Sequence, residues 1–239
     1  MSESFVIASR FRGPPMSGNG GWTSGHLAQL VDGALEGAAV TVRLRTPPPL
    51  ETELEITRGD DGTVELWDGQ TVVAQAFAAE RLDASQVPAP VTYQEALAAG
   101  AAYEGLRSHP FPGCFACGTD RDPADALCLH TGLLPGHEGL RAAAWTPGES
   151  APELVWAALD CPGGWASGAA EREMVLATMT ASIRELPIVG QPHVVMAWPT
   201  GQEGRKHYSG TCLFTADGRL LAQAESLWIA IDARTVRPR

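Results

Sequence analysis

The chain has 239 residues, 44% of them hydrophobic and 19% charged, with 28 acidic against 17 basic side chains and a formal net charge of −11. This composition supplies a core and excludes global disorder, and the negative balance excludes nucleic acid as an expected partner. No apolar run approaches the roughly 20 residues of a membrane span, and Met1 to Pro15 lacks the basic start and apolar block of an export signal, so a soluble cytoplasmic protein with no membrane partner is expected.

In chain order, a Gly-rich turn at Ser17-Gly18-Asn19-Gly20-Gly21 opens a helix predicted over Trp22 to Val31. Alternating strands follow at Ala39 to Arg45 and Leu50 to Thr57, and Thr63 to Trp67 meets Gln70 to Ala79 across Asp68-Gly69, a strong hairpin signal. Thr92-Tyr93-Gln94-Glu95 has capping-box spacing for an Ala-rich helix to about Tyr103, ended by His109-Pro110-Phe111-Pro112-Gly113. Strands are then predicted near Leu127 to Leu133, Gly139 to Trp145 and Leu154 to Leu159. A second turn at Asp160-Cys161-Pro162-Gly163-Gly164 precedes a short helix from about Trp165 to Arg172. Val175 to Arg184, Pro192 to Trp198, Tyr208 to Thr215 and Leu220 to Ile231 complete the strand series, with Asp217-Gly218 as a turn.

Two short matches point to internal duplication. Gly20-Gly21-Trp22-Thr23-Ser24-Gly25 recurs as Gly163-Gly164-Trp165-Ala166-Ser167-Gly168. The pair Asp68-Gly69 followed by Ala74-Gln75-Ala76 recurs as Asp217-Gly218 followed by Ala222-Gln223-Ala224, in the same order and at nearly the same offset. One helix followed by antiparallel strands, twice over, is an α+β pattern. The expected organisation is an N-terminal unit over 1–87, a linker with a short helix over 88–113 and a C-terminal unit over 114–239.

The Gly-Gly turns, the segment Cys114-Phe115-Ala116-Cys117-Gly118 ahead of a strand, and Asp160-Cys161-Pro162-Gly163-Gly164 together resemble the hotdog fold, and the doubled pattern is similar to the double-hotdog acyl-CoA thioesterases. The resemblance spans about Phe5 to Ile231. It implies two hotdog units, each an antiparallel sheet wrapped around a helix, and an acyl-thioester substrate carried on CoA or a carrier protein. No cofactor is expected, because Gly18-Asn19-Gly20 does not complete Gly-X-Gly-X-X-Gly, position 23 being Thr, and there is no Walker A motif. The resemblance also covers dehydratases, hydratases and members without a known reaction. Two features depart from the family pattern: the second helix has room for only about two turns, and the first carries no acid before Asp32. They point to one active turn of the two, or to none.

Thioester hydrolysis needs a polarised carbonyl and an activated water. Unpaired amides at a helix N-terminus can supply the first, and glycines let an acyl group approach the backbone. Gly20, Gly21, Gly163, Gly164 and the Trp165 amide are the candidates, with turn formation as the competing role. Asp160, expected at the end of a buried strand, is the first choice of base and is equally suited to an N-cap; Glu171 is second, against a role as a solvated charge beside Arg172. The resemblance implies an acid at either place. Asn19 could bond a thioester or a water, or serve as a turn residue tolerant of positive φ.

Trp22 and Trp165 are candidate walls of an acyl tunnel, and His26, four residues after Trp22, could share its helix face. Ser24 and Ser167 occupy matching positions, but Gly164-Trp165-Ala166-Ser167-Gly168 places the serine one position too late for a nucleophile elbow. Arg205-Lys206 is a compact basic pair for an anionic carrier, with a second basic cluster in the tail from Arg234 to Arg239. The five cysteines, odd in number and without an export signal, read as free thiols. Cys114-X2-Cys117 with Cys128 and His130 has knuckle-like spacing but no second knuckle, so no metal is expected. A homodimer through sheet edges is also expected.

Overall fold

The structure is a computed structural model that describes residues 3–231. The basic tail Arg234 to Arg239 and the start of the leader reading at Met1 lie outside the described residues. One sheet of eleven strands runs through the molecule in the order β1-β3-β4-β5-β2-β8-β11-β10-β9-β7-β6. The first half comprises β1 (Glu3–Val6), α1 (Gly20–Ala28), β2 (Val40–Leu44), β3 (Glu53–Arg58), β4 (Val64–Asp68) and β5 (Thr71–Ala78). After α2 (Tyr93–Ala101), the second half comprises β6 (Gly132–Leu133), β7 (Arg141–Trp145), α3 (Pro152–Ala166), β8 (Met174–Ile183), β9 (His193–Glu203), β10 (Lys206–Thr215) and β11 (Leu220–Ala230).

The halves mirror each other about an antiparallel seam between β2 and β8, where Val40 to Arg43 pair with Ala181 to Thr178 and the Thr41 and Thr180 hydroxyls share a 2.7 Å hydrogen bond. The β4–β5 and β10–β11 hairpins turn at Asp68-Gly69 and Asp217-Gly218, whose glycines adopt φ of 57° and 88°. A left-handed residue is what such a turn requires. Those matching turns occupy equivalent places in the two halves. The Gly-Gly-Trp match does not, since it opens α1 at Gly20 and closes α3 at Gly163-Gly164.

Strand periodicity explains which face is buried. In β3, Leu54 and Ile56 point inward and alternate with exposed Glu53, Glu55 and Thr57. In β9, Val194 through Ala197 are all buried because both sheet faces are covered there. Val195 joins the core under α1 and α3, while Val194 and Met196 pack with Ala96 and Ala99 of α2 on the opposite face.

The strand expected at Leu154 to Leu159 and the short helix expected to begin near Trp165 are both corrected to the single 15-residue helix α3. Every residue from Leu154 to Trp165 is buried, because α1 covers one side of α3 and the sheet another. A helix apolar all round shows no 3.6-residue period, and Pro162 with two glycines read as a break. The helix continues through Pro162, which gives up one helical N–H. The strand expected over Leu127 to Leu133 reduces to Gly132–Leu133. The preceding chain is irregular, with Cys128 at a φ of 48°, a left-handed value that breaks a strand.

Candidate active site

The α1–α3 crossing builds the site. A Cβ on Gly21 would stand 2.4 Å from Asp160 Cβ and 2.6 Å from the Trp156 carbonyl oxygen, and one on Gly25 would stand 2.6 Å from Glu153 Cα. These glycines one turn apart let the two helix backbones touch. The first turn of α1 is thereby pressed onto the middle of α3, at Asp160.

Asn19 caps α1, its Oδ1 accepting from the Trp22 N–H at 2.8 Å. Its φ is −61°, so the expected positive-φ turn role is corrected to that of an N-cap in extended conformation. The cap fixes the amide so that Nδ2 donates to Asp160 Oδ2 at 3.0 Å, and the Gly21 N–H donates to the same oxygen at 2.9 Å. Asp160 Oδ1 has no partner among the described residues, and the side chain is 2% exposed. Burial pushes this carboxyl up to about 7, against the pull of the Gly21 and Asn19 donors.

Asp160 stands on the wall of a cavity of about 410 Å³. Leu44, Leu176, Met174, Trp165, Trp228 and Ile229 give the wall its apolar character; Gly20, Asn19 and Arg45 are polar or cationic members. The Arg45 guanidinium is exposed and donates to Gln75 Oε1 through Nε and Nη2. His109 also lines the cavity. Its Nδ1 accepts from the Phe111 N–H, which leaves Nε2 to donate to the Cys117 carbonyl at 3.1 Å. Burial lowers its pKa, and with both nitrogens engaged it is held neutral beside Trp165.

The structure brings together Asn19, Gly20, Gly21, Asp160, Gly164 and Trp165 and leaves the other candidates outside. Asp160 lies within a helix, where the sequence reading had it end a strand. Gly164 and Trp165 touch the cavity but stand in the last turn of α3. Amides there are engaged in the helix ladder and face the negative end of its dipole, so the expected role of these N–H groups in polarising a carbonyl is corrected. Gly163 faces the sheet, where a Cβ would meet Ser209 Oγ at 2.6 Å.

Trp22 stacks on Phe11 with ring centroids 4.1 Å apart, and His26 packs against Trp22 and Phe5; none of these lines the cavity. Ser167 is the C-cap of α3, and Ser24 is buried within α1. Glu171 pairs with Arg172 in an exposed loop, its side chain 75% accessible. Arg205 and Lys206 are exposed at the β9–β10 turn, Lys206 beside Glu203 at 3.8 Å, and are absent from the wall. Arg45 and His109 were missed. Arg45 sits one residue past β2 in an ordinary strand context, and no local pattern marks either residue.

No protein-family model matches the chain, and no curated protein matches it. Solved structures do match. A putative thioesterase from Novosphingobium aromaticivorans is 11% identical, covering 96% of this chain and 95% of its own with a TM-score of 0.63. An acyl-CoA thioesterase II, TesB2, from Mycobacterium marinum is 13% identical, covering 93% and 92% with a TM-score of 0.56. A conserved protein of unknown function with a hot dog fold from Alicyclobacillus acidocaldarius is 12% identical, covering 96% and 92% with a TM-score of 0.55. The chain has the α+β double-hotdog fold that its sequence resembles.

Proposed function

We propose that the cavity hydrolyses an acyl thioester, with Asp160 as the group that activates water. The observation that carries this reading is the Asp160 carboxyl on the wall of an apolar cavity: one oxygen is held by the Gly21 and Asn19 donors, and the other is buried with no hydrogen-bond partner among the described residues. A carboxylate so oriented can accept a proton from water without first leaving a partner. Gly20 is the first residue of α1 and lines the same wall, and its N–H has no intrahelical partner. It is the amide suited to polarise the carbonyl at the positive end of the helix dipole. The names of the structural neighbours favour the same reaction class.

Leu44, Leu176 and Trp228 suit the acyl chain, and Arg45 at the exposed side suits an anionic carrier such as CoA. Arg45→Ala is expected to raise KM for acyl-CoA several-fold with little change in kcat, since it would contact the carrier and not the reacting atoms. The test of the reaction is chromatographic detection of free CoA from purified protein given short, long and aromatic acyl-CoAs. Turnover of at least one class supports the reading. No release from any of them, with bound acyl-CoA raising the melting temperature, would instead support a non-catalytic acyl-binding module. A hydratase would need a histidine facing an acid such as Asp160 across the two units; His26 instead stacks on Trp22 and packs against Phe5, so no observation favours that reading.

A further inference from the structure

Three sulfurs unused by the hydrolysis reading meet on the inner wall of the cavity. Cys114 and Cys117 come from the segment between α2 and β6, and Cys161 follows Asp160 in α3. Their Sγ atoms all lie within 4.8 Å of one another, with Cys114 and Cys161 3.6 Å apart. All three are buried free thiols, and all three line the cavity. A tetrahedral zinc ion with Zn–S bonds of about 2.3 Å holds its sulfurs roughly 3.8 Å apart, so the cluster is already near the spacing of three zinc ligands.

The donor beside the sulfurs is a second, independent observation. Because Asn19 Oδ1 is committed to the Trp22 N–H, Nδ2 must face inward as a donor, and it stands 3.8 Å from Cys114 Sγ and 3.7 Å from Cys161 Sγ. A thiol is a weak acceptor, whereas a metal-bound thiolate gains from such outer hydrogen bonds.

The Cys-X2-Cys turn is shaped for this. The Gly118 N–H closes it onto the Cys114 carbonyl at 2.9 Å, and a Cβ at Gly118 would stand 2.4 Å from the carbonyl oxygens of both Cys114 and Pro112. Cys128 and His130, which the sequence spacing offers as the remaining ligands, do not belong to the cluster: Cys128 is half-buried in a left-handed bend, and His130 stacks on Tyr103.

We propose that Cys114, Cys117 and Cys161 bind a thiophilic divalent cation, zinc, as three thiolates, with the fourth coordination position facing the cavity. Without a cation these buried cysteines are neutral thiols; on binding zinc each gives up its proton to solvent, and the three thiolates with Zn²⁺ leave a net charge of −1. The ligand set spans the 114–118 turn and α3, so the ion would also tie that segment to the core helix. The metal site stands whether or not the cavity hydrolyses thioesters.

The test is metal content, with no reference to activity. Protein expressed with zinc supplementation and purified reduced, without chelator, is expected to carry about one zinc per chain by plasma mass spectrometry. Zinc-free wild-type protein titrated with Co²⁺ is expected to show thiolate-to-cobalt charge-transfer absorption and tetrahedral d–d bands. This spectrum needs no variant, so it stands even where a serine variant fails to fold. Cys117→Ser and Cys161→Ser are each expected to lower zinc binding at least about tenfold at buffered free zinc, with Cys128→Ser and Cys212→Ser unchanged. Fully reduced wild-type protein with under about a tenth of a zinc per chain and no charge-transfer band would overturn the site. Undiminished zinc in a folded Cys161→Ser variant would overturn it too.

Discussion

Asp160 serves the proposed chemistry at the expense of the fold. A buried carboxylate with an unpartnered oxygen destabilises its surroundings, whereas an asparagine amide could still accept from Gly21 and Asn19. Asp160→Asn is therefore expected to keep or raise the melting temperature in a calorimetric scan; a fall of several degrees would show that the carboxylate contributes to the fold. Gly21 carries the opposite constraint. Gly21→Ala forces a Cβ against the Trp156 carbonyl and Asp160 and is expected to destabilise by about 2 kcal/mol in denaturant unfolding, as over-packing does. At this scale the sequence singled out residues that the structure brings together, without showing how they meet. Asp160, Asn19 and Gly21 were legible because acids, amides and glycines bordering an apolar run are unusual. Their mutual contact was not legible, because it joins positions far apart in the chain through a helix crossing that no local pattern encodes.

At the scale of elements, the hairpins were readable and the central helix was not. Asp68-Gly69 and Asp217-Gly218 each need a left-handed glycine, which is a local requirement and so leaves a local signature. The long helix α3 is buried from Leu154 to Trp165, and total burial erases the amphipathic signal from which a helix is read. The capping box at Thr92 and Glu95 marked α2 correctly, with both of its reciprocal hydrogen bonds present. The chain after α2 is pinned to the sheet by Glu104, whose two oxygens accept from both terminal nitrogens of buried Arg141 at 2.8 Å. Those bonds hold the Glu104 carboxyl below its ordinary range, with burial opposing them. A depressed folded-state value means that the pair stabilises the protein above the unfolded carboxylate pKa of about 4.3, and that this stability is lost as pH falls through the lower folded value. Glu104→Gln is expected to destabilise by about 3 kcal/mol at neutral pH, because it leaves the Arg141 charge buried without its partner. Its stability should also fall less steeply than that of the wild type below pH about 4. Urea unfolding at neutral and acid pH checks both.

Across the whole molecule, the two halves share one sheet through β2 and β8 and one core that contains both α1 and α3. Neither half can expose the seam without also uncovering the helix crossing that holds the site. A single cooperative heat-absorption peak is therefore expected in calorimetry, and two separable transitions would show that the halves unfold independently. Duplication was legible in the sequence because both halves preserve the hairpin turn and its Ala-Gln-Ala strand. The seam itself was not, since β2 and β8 carry ordinary strand residues and their pairing is set by the tertiary fold. The same architecture places the carboxylate of one half against the helix start of the other, so the proposed site exists only in the doubled chain. The most direct measurement of that proposal is kcat/KM for the best acyl-CoA substrate, compared between wild type and a folded Asp160→Asn variant. A loss of at least about 100-fold is the expected result for removal of a general base, and an unchanged value would contradict the assignment of Asp160.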